Sequence, residues 1–166
     1  MVLSDYLYRK ASQMKVPLMG TFELSPVCNF ACKMCYVRKT PEQIRREGKS
    51  LLPWQKWLAL AEQCRDAGML YLLLTGGEPF LYPGFRELYR KLHDLGILIY
   101  INTNGTMIDR ETVQWLKEAA PVRVNLLLDA VSFPIPAQHS YTRQAGAEVR
   151  DKVLTHQIWC FLIYNQ

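Results

Sequence analysis

The sequence lacks the segments that would place it in a membrane or direct it to a secretory pathway. No apolar run is long enough to cross a bilayer, and the first residues carry neither the basic segment nor the apolar stretch of a secretory signal. Cysteine is also scarce, with 5 among 166 residues. We therefore expect a cytoplasmic chain without a membrane partner, whose cysteines are reduced thiols or metal ligands rather than a disulfide framework.

Strong charge of one sign is absent as well. The chain has 20 basic and 15 acidic residues, which give a net charge of +5. The basic excess gathers in one segment, at Arg38, Lys39, Arg45, Arg46 and Lys49. We favour a solvated loop over a nucleic-acid patch there, and expect no nucleic-acid partner. With 49% hydrophobic residues, a chain of this length can bury the core of one domain.

Three of the cysteines stand close together, in a motif that suggests a metal centre. Cys28, Cys32 and Cys35 have the spacing C-x3-C-x2-C. Four thiolates would close a [4Fe–4S] cluster, whereas three leave one iron with an open coordination position. An open position on a metal is where a substrate or a cofactor binds.

The spacing alone leaves other interpretations of the three cysteines open. A structural zinc site usually takes four protein ligands, and only Cys32 and Cys35 have the usual C-x2-C spacing, although a distant histidine could join them. A redox C-x-x-C pair would leave Cys28 unexplained, and an odd number of cysteines pairs badly in disulfides. Buried structural cysteines are common, but three in eight residues are dense for that role.

Apolar periodicity predicts strands and helices in alternation. Strands are predicted at residues 18–24, 70–74, 97–101 and 122–128. Helices are predicted at residues 4–15, from a first turn that contains Pro53 to a C-cap at Gly68, at 85–95, and from an N-cap at Asp109 to a stop at Pro121. A loop is predicted at residues 38–50. The continuous apolar run at 70–74 is typical of a parallel strand buried on both faces. The alternation predicts an α/β fold with a parallel sheet and right-handed crossovers.

Two further motifs follow the second and third predicted strands. Thr75-Gly76-Gly77-Glu78-Pro79 and Asn102-Thr103-Asn104-Gly105-Thr106 should face the same end of the sheet as the cysteine motif. The paired glycines would let backbone approach a ligand closely, and Glu78 could meet an ammonium group. Each motif taken alone favours a tight turn, and it is their common position at one end of the sheet that favours a ligand site.

The three motifs in this order resemble those of the radical S-adenosylmethionine (radical SAM) superfamily. The resemblance covers about residues 18–130 and implies an incomplete parallel β/α (TIM-like) barrel, with about four of the usual six β/α units. The segments 22–28 and 75–83 look most like the branch that includes peptide-modifying maturases with a SPASM domain.

The resemblance implies a cofactor set and a reaction. Cys28, Cys32 and Cys35 would hold a [4Fe–4S] cluster whose open iron binds S-adenosylmethionine. An external one-electron reductant, flavodoxin or ferredoxin, would drive cleavage to methionine and a 5′-deoxyadenosyl radical, which abstracts hydrogen from an unknown substrate. The resemblance to the maturase branch implies that this substrate is a peptide. The positions that match cofactor contacts are Met34, Gly76, Gly77, Glu78, Pro79, Asn104 and Asp129. No residue is assigned a catalytic role.

The sequence departs from the family pattern after the third strand. Many relatives carry Ser-Leu-Asp-Gly on strand four, where this chain has Leu127-Leu128-Asp129-Ala130, so only the aspartate is retained. We expect a lead helix at residues 1–17, the radical SAM core at 18–130 and an atypical tail at 131–166. Six units would need about 190 residues, so we expect a truncated chain, and a cluster-binding fragment without turnover is the alternative to an active enzyme.

Overall fold

A computed structural model describes residues 3–32, 35–48 and 50–126 of the chain. Its four strands are β1 (Met19–Glu23), β2 (Tyr71–Thr75), β3 (Leu98–Thr103) and β4 (Arg123–Leu126). Its helices are α1 (Leu3–Met14), α2 (Pro41–Glu47), α3 (Trp54–Asp66), α4 (Phe85–Asp94) and α5 (Arg110–Glu118), with a short 3-10 turn at Pro79–Leu81. No helix in these ranges is long and apolar enough to cross a bilayer.

The strands form one parallel sheet in the order β1-β2-β3-β4. Each strand therefore lies beside the strand that precedes it in the chain, and helices make the connections. This confirms the predicted α/β fold and the incomplete β/α barrel, because the sheet is not closed within the described residues. All four strands end at the same edge, where the predicted motifs lie.

One face of the sheet is buried against α3, α4 and α5. The strand residues that this face contributes to the core are Phe22, Leu72, Leu74, Ile99, Ile101, Val124 and Leu126. The helices supply aromatic rings, and Tyr89 and Trp115 meet edge to face with centroids 5.2 Å apart. Such burial is the main favourable term in the folding of a domain.

The other face of the sheet carries both polar and apolar side chains, and these are exposed or half-buried. Thr21 and Glu23 on β1 are exposed, and Leu73 and Thr75 on β2 are half-buried. The prediction that residues 70–74 are buried on both faces is therefore wrong for this part of the chain. Leu72 and Leu74 on one face of β2 are fully buried in the core, whereas Tyr71, Leu73 and Thr75 on the other face are half-buried.

The predicted loop at residues 38–50 contains helix α2, which corrects the sequence analysis. The Thr40 side chain accepts from the Gln43 N–H, and the Gln43 side chain accepts from the Thr40 N–H, which is a capping box. Pro41 follows at the first helical position, and Gly48 ends the helix with a φ of 60°. None of its residues is buried, so no apolar periodicity marked it.

Helix ends elsewhere agree closely with the sequence analysis. The Asp109 carboxylate accepts from the Thr112 N–H at 2.7 Å, so the predicted N-cap of α5 is confirmed. Pro53 stands immediately before α3 in an extended conformation, rather than inside its first turn as predicted. The predicted end of strand four and the tail at residues 131–166 lie outside the described residues.

Candidate metal and cofactor site

The cysteine loop lies directly on the turn that follows β2. Parallel pairing between β1 and β2 continues beyond both strands: the Leu24 N–H donates to the Thr75 carbonyl at 3.0 Å. The Gly77 N–H then donates to the Ser25 carbonyl at 2.7 Å, and the Glu78 N–H to the Val27 carbonyl at 2.8 Å. These bonds fix the backbone that leads into Cys28.

Gly76 and Gly77 permit this contact because neither carries a Cβ. A Cβ on Gly76 would lie 2.6 Å from the Ser25 carbonyl oxygen, and Gly76 has a φ of 137°. A Cβ on Gly77 would lie 2.2 Å from the Val27 carbonyl oxygen and 3.0 Å from Cβ of Cys28. The close backbone approach expected at these glycines is thus made by the cysteine loop, and their contact with a ligand stays a prediction.

Glu78 is completely buried and joins the ends of β2 and β3. Its Oε1 accepts from the Thr103 hydroxyl at 2.7 Å and from the Phe80 N–H at 3.1 Å. Its Oε2 accepts from the Asn104 N–H at 2.9 Å. Burial raises the pKa of Glu78, and the hydrogen bonds from Asn104, Thr103 and Phe80 partly offset that rise. The predicted contact of Glu78 with an ammonium group stays a prediction.

Asn104 connects the loop after β3 to the cysteine loop. Its Nδ2 donates to Oδ1 of Asn29 at 2.8 Å and lies 3.8 Å from Sγ of Cys28. Its Oδ1 accepts from the Thr106 N–H at 3.0 Å and from the Thr106 hydroxyl at 2.6 Å. The Asn29 amide donates to the Thr106 hydroxyl at 2.8 Å, which closes a ring of hydrogen bonds.

The three motif cysteines lie on this loop as thiols. Sγ of Cys28, which is half-buried, accepts from the Phe30 N–H at 3.3 Å, and Sγ of Cys35, which is exposed, accepts from the Arg38 N–H at 3.3 Å. The Cys35 N–H donates to the Cys32 carbonyl at 3.2 Å. In the described ranges no three side chains of Cys, His, Asp or Glu are gathered around one point as metal ligands.

The donor set nevertheless suits an iron–sulfur cluster. It consists of thiols on one loop, and backbone N–H groups already point at two of the sulfurs. Amide donors to cysteine sulfur stabilise the thiolate charge that binds iron. Cys64, by contrast, is half-buried in α3 and packs against the core, away from this loop.

The remaining predicted contacts divide between two groups. Pro79 is buried and is the first residue of the 3-10 turn that follows Glu78. Its contact with a cofactor stays a prediction. Met34 and Asp129 lie outside the described residues.

The sequence analysis gave no role to Asn29, and it named Thr103 and Thr106 only as members of a motif. In the structure Asn29 and Thr106 hold Asn104, and Thr103 holds Glu78. Asn29 directly follows the first motif cysteine, and Thr106 follows the Asn-Gly turn. Asn and Thr side chains commonly form hydrogen bonds to nearby backbone in turns, and this tendency was the only indication in the sequence that Asn29 and Thr106 stabilise loops. The signal does not say which loop such a side chain meets.

Comparison with known proteins gives a consistent family match. The family model described as the radical SAM superfamily matches residues 22–154. The bacteriocin subtilosin biosynthesis protein AlbA of Bacillus subtilis is 28% identical over 123 residues, which are 74% of this chain and 26% of AlbA. The Fe-coproporphyrin III synthase of Methanosarcina barkeri is 32% identical over 104 residues, which are 63% of this chain and 25% of that protein.

Solved structures give the same fold. SuiB of Streptococcus suis, bound to the precursor peptide SuiA, matches with a TM-score of 0.58 at 24% identity, over 76% of this chain and 28% of SuiB. SuiB bound to S-adenosylmethionine matches with a TM-score of 0.56 at 23% identity, over 76% of this chain and 27% of SuiB. The chain thus spans about a quarter of the length of the proteins named here.

Proposed function

Because the chain belongs to the radical SAM superfamily, we propose that Cys28, Cys32 and Cys35 hold a [4Fe–4S] cluster whose open iron binds S-adenosylmethionine. The observation that carries the proposal is the joining of the three motifs at one edge of the sheet. The cysteine loop lies on the Gly76-Gly77 turn, and Asn104 connects it to the loop after β3. Residues 18–130 would form the core that supports this site.

The cluster, when bound and reduced by one electron from flavodoxin or ferredoxin, would cleave S-adenosylmethionine to methionine and a 5′-deoxyadenosyl radical that abstracts hydrogen from a substrate. The residues of the chain supply position rather than chemistry. Glu78 holds the ends of β2 and β3 together beneath the site through Thr103 and Asn104. The pairing of Gly77 and Glu78 with residues 25–27 holds the start of the cysteine loop.

We further propose that the substrate is a peptide. The names of AlbA and of the SuiB complex refer to bacteriocin biosynthesis and to a precursor peptide, which supports this class. The Fe-coproporphyrin III synthase is similar to the same part of the chain and has a different product, so the shared core does not select the substrate. The partly exposed face of the sheet, which includes Thr21 and Glu23, is where a substrate would approach the site.

Anaerobic reconstitution with iron and sulfide tests the metal site. We expect a broad absorbance at roughly 400 nm from sulfur-to-iron charge transfer, with bound iron and sulfide in equal amounts. Joint replacement of Cys28, Cys32 and Cys35 by Ala should abolish the band, while Cys64→Ala, the matched control outside the motif, should keep it. Survival of the band in the triple variant would refute the assignment.

Turnover is tested separately with the loaded protein. After reduction with dithionite in the presence of S-adenosylmethionine, chromatography should detect 5′-deoxyadenosine in the wild type and none in the triple cysteine variant. A loaded cluster without this product would support a cluster-binding fragment instead of an enzyme. Elemental analysis of protein purified without oxygen addresses the zinc alternative, since stoichiometric zinc bound by the same cysteines would contradict the cluster.

A further inference from the structure

We propose that the side-chain amide of Asn104 sets the reduction potential of the cluster by donating a hydrogen bond to Sγ of Cys28. The inference rests on the proposed function, because it requires a cluster bound through Cys28. Asn104 would be a positioning residue, because it would act on the cluster through the sulfur of Cys28.

The orientation of the Asn104 amide follows from its hydrogen bonds to Thr106 and Asn29. Its Oδ1 accepts two hydrogen bonds from Thr106, at 3.0 and 2.6 Å, so its NH2 group must face the cysteine loop. That NH2 group donates to Asn29 at 2.8 Å and is left 3.8 Å from the Cys28 sulfur. The Asn104 backbone N–H is held by the buried Glu78 carboxylate at 2.9 Å.

The two hydrogens of the NH2 group have two different acceptors. One is satisfied by Asn29 and the other is directed at Cys28. The same sulfur also accepts from the Phe30 backbone N–H at 3.3 Å. The Cys28 sulfur thus accepts from one backbone donor and one side-chain donor, and the side-chain donor can be removed by a substitution that leaves the backbone N–H groups in place.

Hydrogen bonds to cluster sulfurs affect the two oxidation states unequally. Reduction adds one negative charge to the cluster, and an N–H dipole aimed at a ligating sulfur stabilises the more negative state more strongly. The Asn104 donor should therefore make the cluster easier to reduce. Its removal should move the potential to a more negative value.

Asn104 also holds the two loops together, so a purely structural effect must be separated from an electrostatic one. Asn29→Ala is the matched control. It removes the Asn29 bonds to Asn104 and to Thr106, which loosens the contact between the loops, but it keeps the Asn104 amide that faces Cys28. If the Asn104 amide itself sets the reduction potential, Asn104→Ala should shift that potential and Asn29→Ala should shift it much less.

The experiment is a redox titration of the reconstituted wild type, Asn104→Ala and Asn29→Ala, followed by electron paramagnetic resonance, with iron content and thermal unfolding measured on each. We expect Asn104→Ala to lower the equilibrium constant for one-electron reduction by up to about tenfold, which corresponds to about 59 mV. Asn104→Asp, which replaces the donor by a negative oxygen, should shift the potential further in the same direction.

Equal shifts in Asn104→Ala and Asn29→Ala would show that only the contact between the loops matters and would overturn the inference. An unchanged potential in a fully loaded Asn104→Ala would overturn it as well, while leaving the proposed function intact. A wild type that binds no cluster would overturn both, and the iron content identifies that case.

Discussion

At the scale of single residues, Glu78 shows how a charged group is held inside this fold. Its carboxylate is removed from water and accepts three hydrogen bonds, from Thr103, Phe80 and Asn104. A buried carboxylate is tolerated only when its oxygens have such partners. The donors lie on two segments, the turn that contains Phe80 and the end of β3 at Thr103 and Asn104, so one side chain fixes the relative positions of two loops at the site.

Glu78→Ala should lower the free energy of unfolding by about 3 kcal/mol or more, because three donors would lose their acceptor in a buried place. Glu111→Gln is the control, since its carboxylate pairs with Arg86 at an exposed site, and such surface pairs contribute about 1 kcal/mol or less. Urea denaturation of the protein without cluster measures both values. Equal midpoints for Glu78→Ala and Glu111→Gln would contradict the structural role of Glu78.

The raised pKa of Glu78 predicts a pH dependence of stability. A group whose pKa is raised by folding stabilises the folded state below its unfolded pKa, near the ordinary 4.5, and loses that contribution as the pH rises through the folded pKa. The stability of the wild type minus that of Glu78→Gln should therefore fall as the pH rises above about 4.5. Urea denaturation of both proteins across that range measures the difference, and a difference that grows with pH would show that the pKa is lowered instead.

At the scale of elements, the site depends on how loops pack at the ends of strands. The sequence predicted α3, α4, α5 and the sheet because their apolar residues recur at the spacing of a buried face. Helix α2 buries no residue, and only its capping box, Thr40 to Gln43, was available as a signal. The contact between Gly77 and Val27 could not be predicted, because it depends on the path of two loops and not on the pattern of either.

Gly77→Ala should displace the cysteine loop, since the added Cβ would lie 2.2 Å from the Val27 carbonyl oxygen. We expect a loss of about 1–3 kcal/mol in the free energy of unfolding and a lower iron content after reconstitution. Gly96→Ala is the control, because a Cβ there meets nothing within 4 Å and only the positive φ of 77° is strained. It should cost stability and leave iron content unchanged. Normal iron content in Gly77→Ala would contradict the proposed packing of the loop.

At the scale of the whole molecule, the described chain is a parallel sheet with α3, α4 and α5 packed on one face and a partly exposed face opposite. Parallel topology alone predicted that the cysteine, Gly-Gly-Glu-Pro and Thr-Asn-Gly motifs share one edge, because the strands end in the same direction. Topology does not specify side-chain partners. The ring of hydrogen bonds among Asn29, Asn104 and Thr106 could therefore be identified only from the structure.

The chain shares with its relatives the family core and only part of their length. Residues 22–154 match the family, whereas AlbA is about four times as long as the part that aligns with this chain. The described residues bring together the loop that would hold the cluster and the two loops next to it. The central claim is therefore that this core alone binds a cluster and offers one iron to S-adenosylmethionine.

Electron paramagnetic resonance of the reduced, reconstituted protein, recorded with and without S-adenosylmethionine, tests that claim most directly. A cluster held by three cysteines has one iron free to bind the added molecule, so we expect S-adenosylmethionine to change the spectrum of the wild type. The variant with Cys28, Cys32 and Cys35 replaced by Ala should give no cluster signal at all. A wild-type cluster spectrum that stays the same at saturating S-adenosylmethionine would contradict the account.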